Sequence, residues 1–454
     1  MIKSGEKQFQ GGFNLGKKII VAGLGHGGIA AAALIAKAGF DVTVYEKKAE
    51  GTLGYDWTDI FAPAALAAAG IDMPPEDKYE FKEDMTFFNP SGTKPLSQHI
   101  PKEQLEIKME RKDIYTHLIN NALECGVKIE YGCEVKEAII LGNRVVGIKT
   151  EAGDVYGDLI IDACGMNSPV RRSLPESFGI EKDVARNEKI SIYRAFYNKG
   201  SDEPAEAKFK VMLFAGGIKG ISWIASEEEY TDLLIGRFED FDMKEVERFG
   251  NFLRKTNPRL GTELKRGGQF VEIPVRQPLA IMVCDGYAAI GDSAFMTVPL
   301  IGSGIANSLK AARILANTVI ADKNRSFSAD TLWSYQTGYY KALGSGLAPL
   351  ACAKLLLLSL SPADVDYFFE KEIITENEIA IGADFNNLGS VMKMDPKDFI
   401  NKAKQVCSDS ELLKKIVACG VRMGKVSAAC AMMPKKWNKD RVRAWAKVYS
   451  FSFK

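Results

Sequence analysis

A glycine-rich turn near the start of the chain constrains the fold more than any other feature. Residues 19–21 are apolar and β-branched, so they predict a buried strand. Gly23, Gly25 and Gly28 follow in the pattern G-x-G-x-x-G. The first glycine permits a tight turn, the second lets a pyrophosphate approach the backbone, and the third lets a helix pack close on the strand. The alanine-rich stretch 30–38 predicts that helix, whose N-terminus attracts phosphate.

An acidic residue in the expected place extends this pattern into a dinucleotide clamp. Gly39 ends the predicted helix, and residues 42–45 predict a second strand that leads to Glu46. Glu46 follows Gly23 by 23 residues, close to the roughly 20 that place an acid beside a ribose hydroxyl. A carboxylate there repels a 2′-phosphate, which disfavours NADP. The clamp by itself leaves NAD and FAD open.

Composition narrows the classes of function. The net charge is +1, so no global field favours nucleic acid or an acidic partner. Eight scattered cysteines without a C-x-x-C pair, and only three histidines, argue against a metal or iron–sulfur site. Free cysteines and an N-terminal tail without an apolar run predict a cytoplasmic protein. The longest apolar run, 347–360, contains Lys354 and is shorter than the roughly 20 residues of a spanning helix.

A second glycine-containing motif decides between the two dinucleotides. Residues 288–304 read A-A-I-G-D-S-A-F-M-T-V-P-L-I-G-S-G, a short apolar strand that ends in Gly291 and Asp292 and leads to a glycine turn. This motif resembles the G-D motif of the FAD-binding family that includes p-hydroxybenzoate hydroxylase. The resemblance implies FAD as the cofactor, with Asp292 bound to its ribityl chain. It also implies that a turn presents backbone N–H groups to the flavin pyrimidine ring, namely Gly302, Ser303 and Gly304.

A third segment, 162–172, reads D-A-C-G-M-N-S-P-V-R-R and resembles the A-D-G-x-x-S-x-V-R segment of the hydroxylases. Gly165, Ser168 and Arg171 match, and Gly165 is predicted to contact FAD. The hydroxylase Asp, which helps NADPH to dock, is replaced by Cys164. The pattern D-A-x-G-x-x-S is instead similar to the geranylgeranyl reductase branch, where D-A-T-G is common. We interpret Cys164 as a small buried residue in preference to a redox group.

Two further segments point to the same branch. Residues 271–279, V-E-I-P-V-R-Q-P-L, resemble the P-x-R-x-P-L that precedes G-D-S in archaeal geranylgeranyl reductases. Residues 220–226, G-I-S-W-I-A-S, look like their Trp-containing strand over the substrate cavity. The chain thus resembles FAD-dependent oxidoreductases of the geranylgeranyl reductase family. The resemblance implies an apolar substrate cavity, to which we assign Trp57, Trp223 and Pro299.

The order of predicted strands and helices indicates interleaved domains. We predict an α/β fold in which a Rossmann-like FAD-binding domain alternates with an antiparallel β-sheet substrate domain, followed by a helical C-terminal region. A flexible tail is assigned to residues 1–16. The FAD-binding domain takes 17–72, 106–175 and 281–325, the β-rich substrate domain takes 73–105 and 176–280, and the helical region takes 326–454.

The region that carries a Cys-Gly pair near the flavin in those reductases reads G-Y-D-W-T-D here and has no cysteine. Tyr55 or Asp59 is the candidate proton donor in its place, and capping or packing is the alternative role. His26, inside the glycine loop, is predicted to contact FAD in preference to transferring a proton. Arg111 matches a basic residue that this superfamily places against FAD, and a solvated or salt-bridged arginine is the alternative.

The C-terminal segment 434–454 carries seven basic residues and one acidic residue, a local net charge of +6. Trp437, Arg441, Trp445 and Tyr449 recur at every fourth residue, which predicts an amphipathic helix. We favour a helix that packs on its own domain and leaves a solvated basic face. The alternative is a helix at a membrane surface, which would suit a lipid substrate and a peripheral location.

These features together predict an enzyme in which reduced flavin passes a hydride from N5 to a carbon–carbon double bond of an apolar, isoprenoid-like substrate. The first alternative is a flavoprotein monooxygenase that uses oxygen and NAD(P)H. The second is an electron-transfer flavoprotein with a protein partner. The predicted electron donor is NAD(P)H or ferredoxin, and nucleic acid is not expected as a partner.

Overall fold

The fold is taken from a computed structural model that describes residues 17–82, 84–102, 105–376 and 409–454, together with 379, 402 and 405. The predicted flexible tail, 1–16, lies outside the described residues.

A six-stranded sheet carries the glycine-rich turn. Its strands are β1 (Lys18–Ala22), β2 (Asp41–Glu46), β8 (Lys128–Tyr131), β12 (Leu159–Asp162), β18 (Val283–Cys284) and β19 (Tyr287–Ala289). They lie in the order β18-β19-β12-β1-β2-β8, and all except β18 run parallel. Strands β1 and β12 are apolar and buried, as central parallel strands covered on both faces must be. The helices around this sheet are α1 (His26–Lys37), α2 (Ala64–Ala69), α3 (Arg111–Glu124), α4 (Pro169–Ser173) and α6 (Ile305–Ala321).

A seven-stranded sheet forms the second layer. Its strands are β5 (Thr86–Phe88), β6 (Pro95–Ser97), β13 (Lys189–Lys199), β14 (Phe209–Leu213), β15 (Gly220–Ser226), β16 (Tyr230–Arg237) and β17 (Leu260–Pro274). Their order is β17-β13-β16-β15-β14-β5-β6, and only β14 and β5 pair in parallel. One face packs on α5 (Met243–Arg254), with Tyr193 and Leu233 in that contact layer. The other face, which we call the inner face, carries Ile192, Leu234 and Trp223.

Two three-stranded sheets connect these layers. The first joins β3 (Thr58–Phe61), β7 (Ile107–Glu110) and β4 (Tyr79–Phe81), and the second joins β9 (Val135–Leu141), β10 (Arg144–Thr150) and β11 (Gly153–Tyr156). The segment 73–105, predicted to belong to the substrate domain, is therefore divided. Strands β5 and β6 extend the seven-stranded sheet, whereas β4 pairs with β7 beside the FAD-binding region.

The C-terminal region is helical in the described residues. It contains α7 (Ala329–Tyr339), α8 (Ser345–Ser359), α9 (Pro362–Glu370), α10 (Ser410–Ala431) and α11 (Lys439–Phe451), and the π-helical turn Tyr340–Gly344 joins α7 to α8. The sequence prediction considered only the run 347–360, but the continuous helix Ala329–Ser359 is long and apolar enough to cross a membrane. Half of its most apolar window is buried inside the protein.

Two aromatic residues of α11, Trp445 and Tyr449, point into the protein. Trp445 donates its indole N–H to the Ala429 carbonyl at 2.7 Å, and the Tyr449 hydroxyl donates to the Pro278 carbonyl at 3.2 Å. Both rings also contact Tyr340. The helix thus packs on its own domain, the arrangement favoured from the sequence.

Candidate active site

A cavity of about 620 Å³ opens at the carboxyl ends of the parallel strands β1, β2, β12 and β19. Ligands bind at this edge in open α/β sheets, and the volume lies in the range of cofactor sites. Thirteen of the predicted site residues line it, namely Gly23, Gly25, His26, Gly28, Glu46, Tyr55, Trp57, Arg111, Gly165, Gly291, Asp292, Gly302 and Gly304. Four predicted residues do not line it, namely Asp59, Trp223, Pro299 and Ser303.

The glycine loop lies directly against Ala163, the residue that follows β12. A Cβ added at Gly23 or Gly25 would stand 2.8 Å from the Ala163 carbonyl oxygen, and one at Gly28 only 2.4 Å from its Cβ. Larger side chains are therefore excluded at all three positions. No side chain caps the N-terminus of α1, so its first N–H groups remain available to a pyrophosphate.

Glu46 is held in place by the backbone on both sides of it. One carboxylate oxygen accepts from the N–H of Leu24 at 2.8 Å, and the other accepts from the N–H of Lys48 at 2.9 Å. Each oxygen keeps further acceptor capacity toward the cavity. This geometry suits the predicted role at a ribose hydroxyl, a role that stays a prediction.

The G-D motif places an acceptor without a partner in the cavity wall. No described residue hydrogen-bonds the Asp292 carboxylate, and burial raises the pKa of Asp292 to about 6 although Arg111 opposes the shift. The Gly302 N–H donates to Val298, which fixes the turn at a left-handed φ of 71°. Helix α6 then begins at Gly304 without a side-chain cap. A free carboxylate and an uncapped helix N-terminus fit the hydroxyl-rich chain and the anionic ring edge of FAD.

Asp162 is a functional residue that sequence reasoning missed. It is fully buried, and its carboxylate accepts from Ser168 at 2.6 Å, Tyr287 at 2.8 Å, Ser293 at 3.0 Å and the Cys164 N–H at 3.1 Å. These four donors come from the second and third motifs and from the strand between them. Asp162 therefore fixes the two FAD motifs relative to each other. Its signal was the first letter of D-A-C-G, which had been read only as a family match.

Arg171 has a structural environment, whereas Cys164 is half-buried and lines the cavity. Arg171 is fully buried, donates to the carbonyls of Ser293 and Met166, and lies 4.4 Å from the Phe295 ring centroid. Its bond to Ser293 holds the G-D motif in position, and Arg171 itself does not line the cavity. Burial raises the pKa of the Cys164 thiol well above its usual range, so this cysteine stays protonated.

His26 forms part of the cavity wall as a neutral ring. Burial, assisted by Arg111, lowers the pKa of His26 to about 3. Its imidazole stacks on Tyr115 at 4.5 Å, and its Nε2 has no partner among the described residues. A neutral ring with one free nitrogen suits cofactor contact better than proton transfer. Tyr115 was missed from the sequence, although it lies one helical turn after Arg111 on the same face of α3.

Arg111 lies under the loop that replaces the Cys-Gly pair. Its guanidinium donates to both oxygens of Asp59, at 2.5 and 2.9 Å, and stands 4.9 Å from the Tyr55 ring and 5.5 Å from the Trp57 ring. Burial disfavours the charge of Arg111, but Asp59 outweighs this effect and raises its pKa further. Both Asp59 oxygens are occupied by this pair, so the salt-bridged alternative for Arg111 is realised beside the cavity. Tyr55 lines the cavity and Asp59 does not.

A second arginine clamps the same loop onto the inner face of the seven-stranded sheet. Arg194 forms a buried two-bond ion pair with Asp232, at 2.5 and 2.9 Å, and also donates to the carbonyl and hydroxyl oxygens of Thr58. The rings of Trp57 and Trp223 lie 5.8 and 5.2 Å from its guanidinium. The loop 55–59 therefore bridges the FAD cavity and the sheet that was predicted to bind substrate.

Known proteins share this architecture. No family model matches the chain. A digeranylgeranylglycerophospholipid reductase of Haloferax volcanii is 25% identical over 341 residues, which are 70% of this chain and 80% of that protein. A probable electron transfer flavoprotein-quinone oxidoreductase of Escherichia coli, YdiS, is 24% identical over 356 residues, 70% of this chain and 80% of that protein. A solved geranylgeranyl bacteriochlorophyll reductase-like protein of Thermoplasma acidophilum superposes with a TM-score of 0.70 at 19% identity, over 86% of this chain and 99% of that one.

The fold, the cavity and these similarities define the class of the protein. The chain is an FAD-dependent oxidoreductase with a hydroxylase-like fold, in which the α/β FAD-binding part is joined to an antiparallel sheet. Within this class it is similar to the geranylgeranyl reductases, as the motifs had predicted. The predicted fold class, cofactor and enzyme class are thus confirmed. The individual contacts to FAD stay predictions.

Proposed function

We propose that this enzyme reduces carbon–carbon double bonds in the isoprenoid chains of a lipid. The residues of the cavity would hold FAD, which when reduced would supply a hydride for one carbon of the double bond, and a proton donor would protonate the other carbon. The relatives named digeranylgeranylglycerophospholipid reductase support this substrate class. The observation that carries the proposal within the chain is the apolar inner face of the seven-stranded sheet. It extends to the glycine turn 302–304, which we call the flavin turn.

The inner face is a buried apolar layer that adjoins the cavity. Phe209, Val211 and Trp223 form one apolar cluster on it, and Ile192 and Leu234 belong to the adjoining cluster. The end of β17 continues this surface into the cavity, because Val271 and Ile273 line the cavity wall. An Ile273 methyl group stands 3.2 Å from the position of a Cβ on Gly302. A lipid chain along this face would reach the flavin turn without leaving apolar surroundings.

Tyr55 is the proton donor that the geometry favours over Asp59. Its ring lies in the cavity wall beside Arg111, and its hydroxyl has no hydrogen-bond partner among the described residues. Burial raises the pKa of Tyr55 while Arg111 opposes the shift, so the phenol is protonated before the reaction. When it donates, the adjacent guanidinium stabilises the phenolate until solvent returns the proton.

The clamped loop positions this donor. Asp56 accepts from the Arg266 guanidinium and from the Gly267 N–H, both at 3.1 Å, and Thr58 is held by Arg194. The Arg111 N–H also donates to the Trp57 carbonyl at 3.0 Å. Three arginines thus fix a loop of five residues, which keeps the Tyr55 hydroxyl in one place without help from the substrate.

The electron donor belongs to the same proposal. The replacement of the NADPH-docking Asp by Cys164, together with the similarity to an electron transfer flavoprotein-quinone oxidoreductase, supports a protein donor such as ferredoxin over NAD(P)H. Stopped-flow reduction of the FAD-loaded protein compares the two donors. We expect ferredoxin to reduce the flavin at least tenfold faster than NADPH, and faster reduction by NADPH would reverse this assignment.

The test of the substrate class uses FAD-loaded protein, photoreduced without air and mixed with a digeranylgeranylglycerol phospholipid. We expect the visible bands of oxidised flavin to return and mass spectrometry to show two added hydrogens for each reduced double bond. The saturated lipid must leave the flavin reduced. A flavin that stays reduced with the alkene but reoxidises with oxygen and an aromatic substrate would replace this proposal with the monooxygenase alternative.

Two tyrosine variants test the proton donor. Tyr55→Phe is expected to slow alkene-dependent reoxidation by about 10²–10⁴-fold, the usual contribution of a positioned acid. Tyr45→Phe is the matched control, because Tyr45 also lines the cavity but lies beside Glu46, at the end of β2. Equal rates for Tyr55→Phe and the unmodified protein would remove Tyr55 from the mechanism and leave the substrate class unaffected.

A further inference from the structure

The C-terminal helix α11 presents an outward face whose composition the active site does not explain. Lys436, Lys439, Arg441 and Lys447 are exposed, and so are the apolar side chains of Val448 and Phe451. We call these six residues the C-terminal basic face. Phe451 is 73% exposed, the highest value among the exposed large aromatic residues in the described part of the chain.

The charges of this face have no ion-pair partner among the described residues. None of its four basic residues lies within ion-pair distance of a carboxylate in the described part of the chain, and Asp440 is the single acidic residue between 434 and 454. The segment has a net charge of +6 in a chain whose total is +1. An unneutralised cluster of this kind attracts an anionic surface.

The apolar residues of the face are available because the aromatic face of α11 points the other way. Trp445 and Tyr449 are buried against the core, whereas Lys447, Val448 and Phe451 follow one another on the outer side of the last two turns. Lysines beside an exposed aromatic ring combine attraction to headgroups with insertion into the acyl boundary. A solvated face would need the charges but not the exposed Phe451.

We infer that the C-terminal basic face docks the protein on an anionic membrane surface. The occupant is a bilayer and not an acidic protein, because exposed Val448 and Phe451 flank the charges and can enter the apolar layer. This docking goes beyond the proposed reaction and does not depend on it. It would deliver the enzyme to a bilayer, where a lipid substrate would be found.

Helix α5 offers a matched control, and it packs on the face of the seven-stranded sheet opposite to the inner face. It is also amphipathic and exposes Phe252, at 45%, beside Lys244 and Lys255. The four basic residues of the segment 239–255 are balanced by its five acidic residues, which gives a local net charge of −1. Helix α5 thus has an exposed phenylalanine without excess positive charge. Its variant therefore distinguishes the proposed docking from non-specific adsorption of apolar side chains.

The test is sedimentation of the full FAD-loaded chain with vesicles of saturated phospholipids, which offer no double bond to the active site. We expect binding to vesicles that contain phosphatidylglycerol, weakening as salt rises, and at least tenfold weaker binding to pure phosphatidylcholine. The variant Lys439→Gln/Arg441→Gln/Lys447→Gln should weaken binding on the order of a hundredfold, about fivefold for each charge. Val448→Ser/Phe451→Ser should weaken it about tenfold.

The α5 variant Lys244→Gln/Phe252→Ser/Lys255→Gln should bind as the unmodified protein does. Flavin absorption and the unfolding midpoint of every variant establish that it is folded. Absence of binding to anionic vesicles at low salt would overturn the inference, as would equal binding by the triple α11 variant. Slower reduction of that variant by ferredoxin, without any vesicle binding, would assign the face to an acidic protein instead.

Discussion

The FAD cavity and the inner face of the seven-stranded sheet differ in whether their polar groups already have partners within the protein. The cavity is built from backbone N–H groups, glycines and acceptors with remaining capacity, such as the carboxylate of Asp292. The inner face is mostly apolar, and its buried charged pair, Arg194 with Asp232, is satisfied within the protein. The comparison teaches that the first region keeps acceptors for a polar cofactor, while the second pairs its charges within the protein.

Removal of the Asp232 carboxylate should give the largest effect, because it leaves the buried charge of Arg194 on the inner face without its partner. The side chains of Arg194 and Asp232 are each only 6% exposed. Asp232→Ala is expected to lower the free energy of unfolding by about 3–5 kcal/mol, since an uncompensated guanidinium remains buried. Urea titration of the FAD-free protein measures it. Asp202→Ala, which breaks an exposed pair with Lys199, is the control and should change nothing measurable.

Substitution of Gly28 tests the FAD cavity, where the close approach of α1 to Ala163 requires a residue without a side chain. Gly28→Val places Cβ within 2.4 Å of the Ala163 Cβ and should cost about 1–3 kcal/mol from overpacking, with loss of bound FAD. Flavin fluorescence during titration of the FAD-free protein reports the binding. Gly424→Ala in α10 has open space around it and should instead stabilise the fold by about 0.5–1 kcal/mol. Normal FAD binding by the Gly28 variant would contradict the close approach of α1 to β12.

The free carboxylate of Asp292 predicts a pH dependence of FAD binding. Because burial raises the pKa of Asp292 to about 6, protonation below that pH competes with its role as an acceptor for FAD. The affinity for FAD should therefore fall by up to about tenfold per pH unit below 6. Asp292→Asn should bind FAD more weakly at neutral pH and lose most of this pH dependence.

The same shift has the reverse sign for the stability of the FAD-free protein. The folded state binds a proton at Asp292 that the unfolded state releases near the ordinary pKa of 3.8. The free energy of unfolding should fall as the pH rises from that value through about 6, relative to Asp292→Asn. Chemical denaturation at several pH values checks the difference, and parallel curves for the two proteins would contradict the assigned pKa shift.

The smallest effect on stability is expected at Trp223, whose ring packs on the inner face while its N–H makes no hydrogen bond to the described residues. The indole N–H of Trp223 has no partner among the described residues, whereas that of Trp333 donates to the Pro434 carbonyl at 2.7 Å. Trp223→Phe should therefore destabilise the protein by about 1 kcal/mol less than Trp333→Phe. Thermal unfolding of both variants measures the difference. Equal losses would show that Trp223 makes a polar interaction on the sheet.

Patterns of local sequence determined the FAD-binding part. The G-x-G-x-x-G turn, Glu46 and the G-D motif were predicted because each needs a glycine or an acid at a fixed distance from a strand end, and such distances are short along the chain. The fold class and the cofactor followed from them. Ser303 and Pro299 belong to the same motif but do not line the cavity, which the motif alone could not predict.

Tertiary structure alone decided how the distant parts meet. Asp59 pairs with Arg111 across 52 residues, Thr58 pairs with Arg194 across 136, and Ser293 reaches Asp162 across 131. No spacing rule predicts such contacts, because strands β3, β7 and β13 come together only when two sheets pack. The sequence by itself determined a chain that binds FAD and contains an amphipathic C-terminal helix. Packing determined that Tyr55 and not Asp59 faces the cavity, since only packing selects which charged groups neutralise each other away from water.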